Sequence, residues 1–234
     1  MTGDDINHPH RLFGRRKGRR LHEGRSHALN HLLPQVAITL PEAGGKLVPH
    51  ALFRDPVAEV WLEVGFGNGE HLIAQLRDNP QVGIIGCEPF INGISALLTD
   101  LPHDMRGRIA IYPDDAGALL DALPDACLGR AFVLFPDPWP KKRHNKRRFI
   151  RSENLDRLAR TMKDGAELRM ATDIRELGFW MFIRTARHKA FTFLQKNPAE
   201  WRARTADWPA TRYEQKGIEA GRKPVYLRFG RNPR

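Results

Sequence analysis

Val60-Trp61-Leu62-Glu63-Val64-Gly65-Phe66-Gly67-Asn68-Gly69-Glu70 is the stretch on which the fold turns. A short apolar run ends in a turn with glycine at every second position, and Glu70 to Arg77 then shows helix periodicity through Leu72, Ile73 and Leu76. The same alternation continues downstream. Val82 to Cys87 precedes a helical stretch from Ile91 to Leu98, and Arg108 to Tyr112 precedes Ala116 to Leu123. Ala131 to Phe135 precedes an amphipathic helix expected over Arg148 to Met162, and Glu167 to Ala171 precedes a helix over Ile174 to Arg187. Strands alternating with helices predict an α/β, doubly wound, mostly parallel sheet covered on both faces. Phe191 to Leu194 and Pro224 to Phe229 are expected to add an antiparallel edge at the C-terminal end.

Length and composition agree with one domain. The chain has 234 residues, with 38 Lys+Arg against 27 Asp+Glu and a net charge of +11. That length buries a core without a disulfide or metal staple. The two cysteines, Cys87 and Cys127, sit in no metal-ligand spacing, which excludes a disulfide scaffold and a zinc finger. No metal is expected, and the early histidines (His8, His10, His22, His27, His31) read as solvent or RNA contacts. No apolar run is long enough to span a bilayer and no signal-peptide core follows Met1, so a cytoplasmic location without a membrane partner is expected. The basic excess points to a polyanion partner.

The charge is concentrated in two places. Arg11, Arg15, Arg16, Lys17, Arg19, Arg20 and Arg25 lie in a Gly- and His-rich segment, read as a flexible basic arm over residues 1–35, with the folded domain over 36–234. Lys141, Lys142, Arg143, Lys146, Arg147, Arg148 and Arg151 form a second cluster with no acid among them. It follows a proline-rich turn, so it reads as a patch fixed to the domain for RNA.

In a doubly wound sheet, ligands bind beyond the carboxyl ends of the strands, so residues just after each strand carry the function. After the first come Glu63 and the turn through Gly65 and Gly67, whose G-x-G-x-G pattern departs from the dinucleotide G-x-G-x-x-G. Glu88 follows the second, where a carboxylate accepts from both ribose hydroxyls. Asp114 and Asp115 follow the third; one can cap the helix from Ala116 while the other meets the exocyclic amine of adenine. No P-loop Lys-Ser/Thr is present. An adenosine pocket without a phosphate grip points to S-adenosylmethionine as cofactor. After the fourth strand, Phe135-Pro136-Asp137-Pro138-Trp139-Pro140 freezes an acid between prolines and runs directly into the basic cluster. Trp139 reads either as a base-stacking platform or as a core residue.

These features resemble the bacterial tRNA (guanine-N7)-methyltransferases over roughly Glu59 to Phe229. The resemblance rests on Pro136-Asp137-Pro138-Trp139 with its basic run, Leu62-Glu63-Val64-Gly65-Phe66-Gly67, Thr172-Asp173, and Thr211-Arg212-Tyr213-Glu214. It implies a Rossmann-like class I methyltransferase fold and methyl transfer to N7 of guanine 46 in the tRNA variable loop. It further implies cofactor contacts from Glu63, Glu88, Asp115 and Asp137, with substrate contacts from Lys141, Asp173, Thr211, Arg212, Tyr213 and Glu214. Asp137 is the expected catalytic residue. Exocyclic-amine methyltransferases usually carry Asn/Asp-Pro-Pro-aromatic after the fourth strand, and Asp137-Pro138-Trp139 lacks the second proline. The alternative is an S-adenosylmethionine-dependent enzyme acting on another RNA, a protein or a small molecule. Either a monomer or a homodimer is compatible with the sequence.

Overall fold

The computed structural model describes residues 14–42 and 44–234. Strands β1 (Glu59–Val64), β2 (Val82–Cys87), β3 (Ile109–Tyr112), β4 (Leu128–Leu134) and β5 (Met162–Thr172) are parallel. Strands β6 (Phe191–Phe193) and β7 (Val225–Arg231) complete a seven-stranded sheet in the order β3-β2-β1-β4-β5-β7-β6, with β7 antiparallel to both neighbours. The doubly wound sheet and its antiparallel edge are therefore as the sequence pattern predicts.

Alternating side chains divide the core in two. Leu62, Ile85, Ala110 and Val133 face α5 (Ala116–Ala122), α6 (Ser152–Thr161) and α7 (Arg175–Ala186). Trp61, Ile84, Ile111 and Phe132 face α3 (Glu70–Asp78) and α4 (Ile91–Asp100). The strands are buried on both faces, which is why they read as continuous apolar runs. Because strand order reverses at β1, the ends of β1 and β4 flank a crevice.

Two elements differ from expectation. The helix expected over Arg148 to Met162 is shorter: residues 142–147 form a 3-10 turn, α6 begins at Ser152, and Met162 already pairs with Leu128 as the first residue of β5. Within residues 14–35, read as flexible arm, the structure contains α1 (Glu23–His31) and the start of α2 (Leu33–Val36). Helix α1 packs on α4, with Ala28 buried and Leu29, Leu32 and Leu33 against the second core. Few apolar residues and Gly24 hide this helix from periodicity; packing supplies its stability. Ile38 then donates its N–H to the Ile111 carbonyl, covering the open edge of β3. Arg11 and the rest of residues 1–13 lie outside the described residues. Among the described residues no helix is long and apolar enough to cross a membrane.

Helix α4 meets the glycine turn so closely that a methyl group on Gly93 would lie 2.3 Å from the Gly67 carbonyl oxygen. Gly93→Ala is expected to lower stability by about 1–3 kcal/mol through this overpacking. Gly24→Ala, whose new methyl meets open space in α1, is expected to be stabilising by up to about 1 kcal/mol. Urea unfolding of both variants checks the contrast; equal stability of Gly93→Ala and wild type would contradict it.

Candidate active site

A cavity of about 850 Å³ occupies the crevice between the ends of β1 and β4, within the range of small-molecule sites. On the β1 side, Gly65, Gly67 and Gly69 all have left-handed φ (+74°, +57° and +82°), a turn that side chains resist. Among the described residues, no atom beyond the adjoining residues stands within 4 Å of a Cβ placed on Gly65 or Gly67. Bare backbone thus faces the cavity where α3 begins.

Acids stand around this turn, each held in place. Glu63 is buried and accepts a 2.8 Å hydrogen bond from His71 Nδ1. Glu88, 7% exposed, accepts from the N–H groups of Gly67 (2.8 Å) and Phe90 (2.9 Å). Burial pushes its carboxyl up from the ordinary value while these two N–H groups pull it down, and the charges of Asp137 and Glu63 add to the rise. Asp115 caps α5 by accepting from the Gly117 N–H (2.9 Å) and also lines the cavity. Asp114 lines it as well and pairs with Arg16 at 2.7 Å. Sequence left open which acid caps; it is Asp115.

On the β4 side, the Pro136-Asp137-Pro138 loop is bracketed by two strained residues. Phe135 (φ 48°) and Trp139 (φ 41°) both occupy the left-handed region, a local cost of about 1–3 kcal/mol each that the surroundings must impose. Phe135 is tied to β5 by donating its N–H to Ala171 O at 2.7 Å. Trp139 is held through Arg148, which is 2% exposed. Arg148 Nε donates to Pro138 O (2.8 Å) and Nη2 to Trp139 O (3.3 Å), while Nη2 also pairs with Glu176 at 2.7 Å. The Arg148 guanidinium lies 4.8 Å from the Trp180 ring centroid. Arg148 is therefore a buckle that fixes the loop, and the expectation that it belongs to an exposed RNA patch is corrected. The loop presents Asp137 at the cavity wall, still exposed to solvent, and partial burial there pushes its carboxyl up. Arg147 lies 4.9 Å over the Trp139 ring, leaving Trp139 half-buried at the cavity wall.

The third wall is α8 (Arg212–Glu219), capped by Thr211 Oγ1, which accepts from the Glu214 N–H. Thr211, Arg212 and Tyr213 line the cavity, and the exposed Tyr213 ring sits 5.4 Å from Phe135. The Arg212 N–H donates to Glu70 Oε2 at 2.6 Å, joining α8 to the start of α3. Glu214 and Asp173 do not reach the cavity. Glu214 is buried against Arg204 (2.9 Å) and the Tyr226 hydroxyl, and the Asp173 side chain is buried in a 2.5 Å pair with Arg222. Both anchor α8 from beneath, which corrects the expectation of direct substrate contact in this conformation. Lys141, Lys142, Arg143 and Lys146 are exposed on the 3-10 turn and its start, outside the cavity.

Several contributors were missed by sequence reading. Gly14, Arg15 and Arg25 line the cavity, and residues 16–19 are laid across the start of α4. Arg16 O accepts from the Ile91 N–H (3.0 Å), Gly18 N–H donates to Asn92 Oδ1 (2.8 Å), and Asn92 Nδ2 donates to Arg19 O (2.8 Å). Helix α4 has no side-chain cap, so this strap satisfies a donor that would otherwise be orphaned. No sequence pattern announces such a contact. For α8, by contrast, the Thr211-x-x-Glu214 spacing is a helix-start signal.

A family profile described as "Putative methyltransferase" matches residues 57–227. Over 230 residues the chain is 47% identical to the tRNA (guanine-N(7)-)-methyltransferase of Rhodospirillum rubrum, covering 96% of this chain and 89% of that one. It is 43% identical to the protein of that name from Brucella abortus, covering 96% and 98%. Among solved structures, the 16S rRNA methyltransferase KamB aligns with a TM-score of 0.51 at 18% identity, over 77% of this chain and 91% of that chain. The 16S rRNA (adenine(1408)-N(1))-methyltransferase from Catenulisporales acidiphilia aligns with a TM-score of 0.50 at 16% identity, over 84% and 99%. These two share the fold.

Two predictions follow from the geometry. Arg148→Met strands the Pro138 and Trp139 carbonyls and is expected to cost about 1–3 kcal/mol, whereas Arg143→Met on the exposed turn stays within about 0.5 kcal/mol; denaturant unfolding that ranks them equally would contradict the buckle. Glu88 has a raised carboxyl pKa, so its contribution to stability is complete below its ordinary value of 4.5 and is lost as pH rises through the raised one. The stability of wild type minus that of Glu88→Gln should therefore fall from pH 4.5 towards neutrality; a difference that stays flat would refute it.

Proposed function

The chain belongs to the tRNA (guanine-N(7)-)-methyltransferase family, and we propose that it transfers a methyl group from S-adenosylmethionine to N7 of guanine 46 in the tRNA variable loop, at the cavity between β1 and β4. One observation supports this site: Asp137 lines the same cavity as Glu63, Glu88 and Asp115, on a strained loop that Arg148 fixes and that runs on into the cationic turn.

The residues present suit this cofactor. It has a ribose diol, an adenine amine and an α-ammonium group, all hydrogen-bond donors, and no phosphate. The cavity offers the acceptors Glu88, Asp115 and Glu63 and a turn whose Gly65 and Gly67 backbone is unobstructed. Glu88 would take the ribose, Asp115 the adenine amine and Glu63 the amino-acid portion. When bound, S-adenosylmethionine supplies an electrophilic methyl group on a sulfonium centre.

Guanine N7 carries its lone pair at neutral pH, so no general base is required, and holding the base in line supplies most of the acceleration. Asp137 accepts hydrogen bonds from the guanine N1–H and N2–H₂ edge and balances the positive charge the ring gains on methylation. That edge separates guanine from adenine, which has no N1–H. Tyr213, exposed beside Phe135, and Trp139 offer flat faces for a base taken out of its stack. Arg212 and Lys216 stand on the same wall. Lys141, Lys142, Arg143 and Lys146 are exposed on the turn that directly follows the Asp137 loop and give salt-dependent affinity for the RNA backbone. Arg148 serves this patch only indirectly, by fixing the loop that carries it.

The test is methyl transfer from labelled S-adenosylmethionine to unmodified tRNA transcripts, with nucleoside analysis of the product. The expected result is 7-methylguanosine at one variable-loop site; label at another base would overturn the target. In the same assay Asp137→Ala is expected to remove turnover while tRNA affinity stays within a few fold. Near-normal turnover in that variant would overturn the role of Asp137.

A further inference from the structure

A row of polar side chains, buried at His71 and Gln75 and half-buried at Asn79, runs along one face of α3 to its C-cap and ends on Glu63. His71, Gln75 and Asn79 are spaced four residues apart, so they stack along one side of the helix. Asn79 Nδ2 donates to Gln75 Oε1 (3.3 Å) and to Gln75 O (2.8 Å). Gln75 Nε2 donates to Asp207 O (2.8 Å) and stands 3.4 Å from His71 Nε2. His71 Nδ1 is 2.8 Å from Glu63 Oε2. The His71 ring is 2% exposed and packs edge-on against Phe132, with centroids 4.7 Å apart.

The row has a direction. Gln75 receives at Oε1 from Asn79 and gives at Nε2 to the Asp207 carbonyl, which fixes its amide orientation. An amide NH₂ only donates, so His71 Nε2 is the acceptor and the ring carries its proton on Nδ1, towards Glu63. One carboxylate oxygen is then occupied by a fixed donor, and the carboxylate cannot turn about its last torsion without breaking that bond.

We propose that His71 is a positioning residue for the cofactor: as the Nδ1–H tautomer it locks the Glu63 carboxylate so that Oε1 is presented to the α-ammonium group of the amino-acid moiety. This rests on the cofactor reading above. A buried carboxylate prefers a charged donor to a neutral one, and that ammonium is the cofactor's one cationic group with N–H donors, since the sulfonium has none. The arrangement also ties the cofactor side of the cavity to the C-terminal segment, since the row is anchored on the Asp207 carbonyl four residues before Thr211, the cap of α8.

Calorimetric titration with two probes tests it. S-adenosylhomocysteine has the amino-acid moiety, and 5′-methylthioadenosine lacks it. His71→Leu removes the donor; His71→Asn returns an amide N–H near the position of Nδ1. His71→Leu is expected to weaken S-adenosylhomocysteine by about tenfold or more, the value of a hydrogen bond to a charged group, with 5′-methylthioadenosine within about twofold and most of the loss restored in His71→Asn. Unchanged S-adenosylhomocysteine affinity in His71→Leu, or equal loss of both probes, would overturn the positioning role. Should His71→Leu not fold, His71→Gln replaces it, because its longer side chain carries the amide past Nδ1, and the same pair of outcomes decides. Failure of wild type to bind S-adenosylhomocysteine would instead overturn the cofactor reading itself.

Discussion

Glu63, Glu88, Asp114, Asp115 and Asp137 share the wall of one cavity, and like charges at that density repel strongly in a half-buried space. The fold holds them by supplying each with a fixed donor or an outlet to solvent. Backbone N–H groups of the glycine turn and of Phe90 take Glu88, the first turn of α5 takes Asp115, His71 takes Glu63 and Arg16 takes Asp114. The left-handed glycine turn lets the Gly67 N–H reach Glu88, and Gly93 is small because α4 approaches the same turn. Reversal of strand order at β1 is what brings the five acids together, since it opens a crevice that no helix fills.

Asp137 belongs to a different mechanical unit. Its loop leaves β4 through one strained residue and ends at another, and the chain is kept there by Arg148 reaching back from beyond the basic turn. The buckle rigidly couples the loop that would face the guanine to the turn that would face the RNA backbone. Helix α8 is fixed with equal care: Asp173 and Glu214 are neutralised beneath it by Arg222 and Arg204, and Glu70 ties its first N–H to α3. Methyl transfer by alignment asks for this kind of stiffness, because the positions of the two reactants and not a proton relay set the rate.

Much of this was legible in the sequence because parallel strands buried on both faces read as apolar runs and because their carboxyl ends collect the chemistry. Glu63, Gly65, Gly67, Glu88, Asp115 and Asp137 all stand at or just after such ends, and all line the cavity. Sequence is silent where long-range partners decide a residue's role. Arg148 looked like one cation among seven, and only Glu176 and the Pro138 carbonyl, brought close by folding, make it a buried buckle. Asp173 and Glu214 stand in the right segments but turn inward, because Arg222 and Arg204 lie below α8. Helix α1 and the strap before it carry too little apolar periodicity to be seen, since α4 supplies what holds them. In the sequence His71 is only one position of a helix, because its partner Glu63 sits on the preceding strand, across a turn.

Everything in the proposed reaction depends on the strand-end acids holding the cofactor beside Asp137. The most direct measurement is a crystal structure of the protein with S-adenosylhomocysteine bound. The account predicts the ribose hydroxyls on Glu88, the ammonium group on Glu63, the adenine amine at Asp115 and the sulfur facing the Asp137 loop. A ligand seated outside this cavity, or inside it with the ribose turned away from Glu88, would contradict the account.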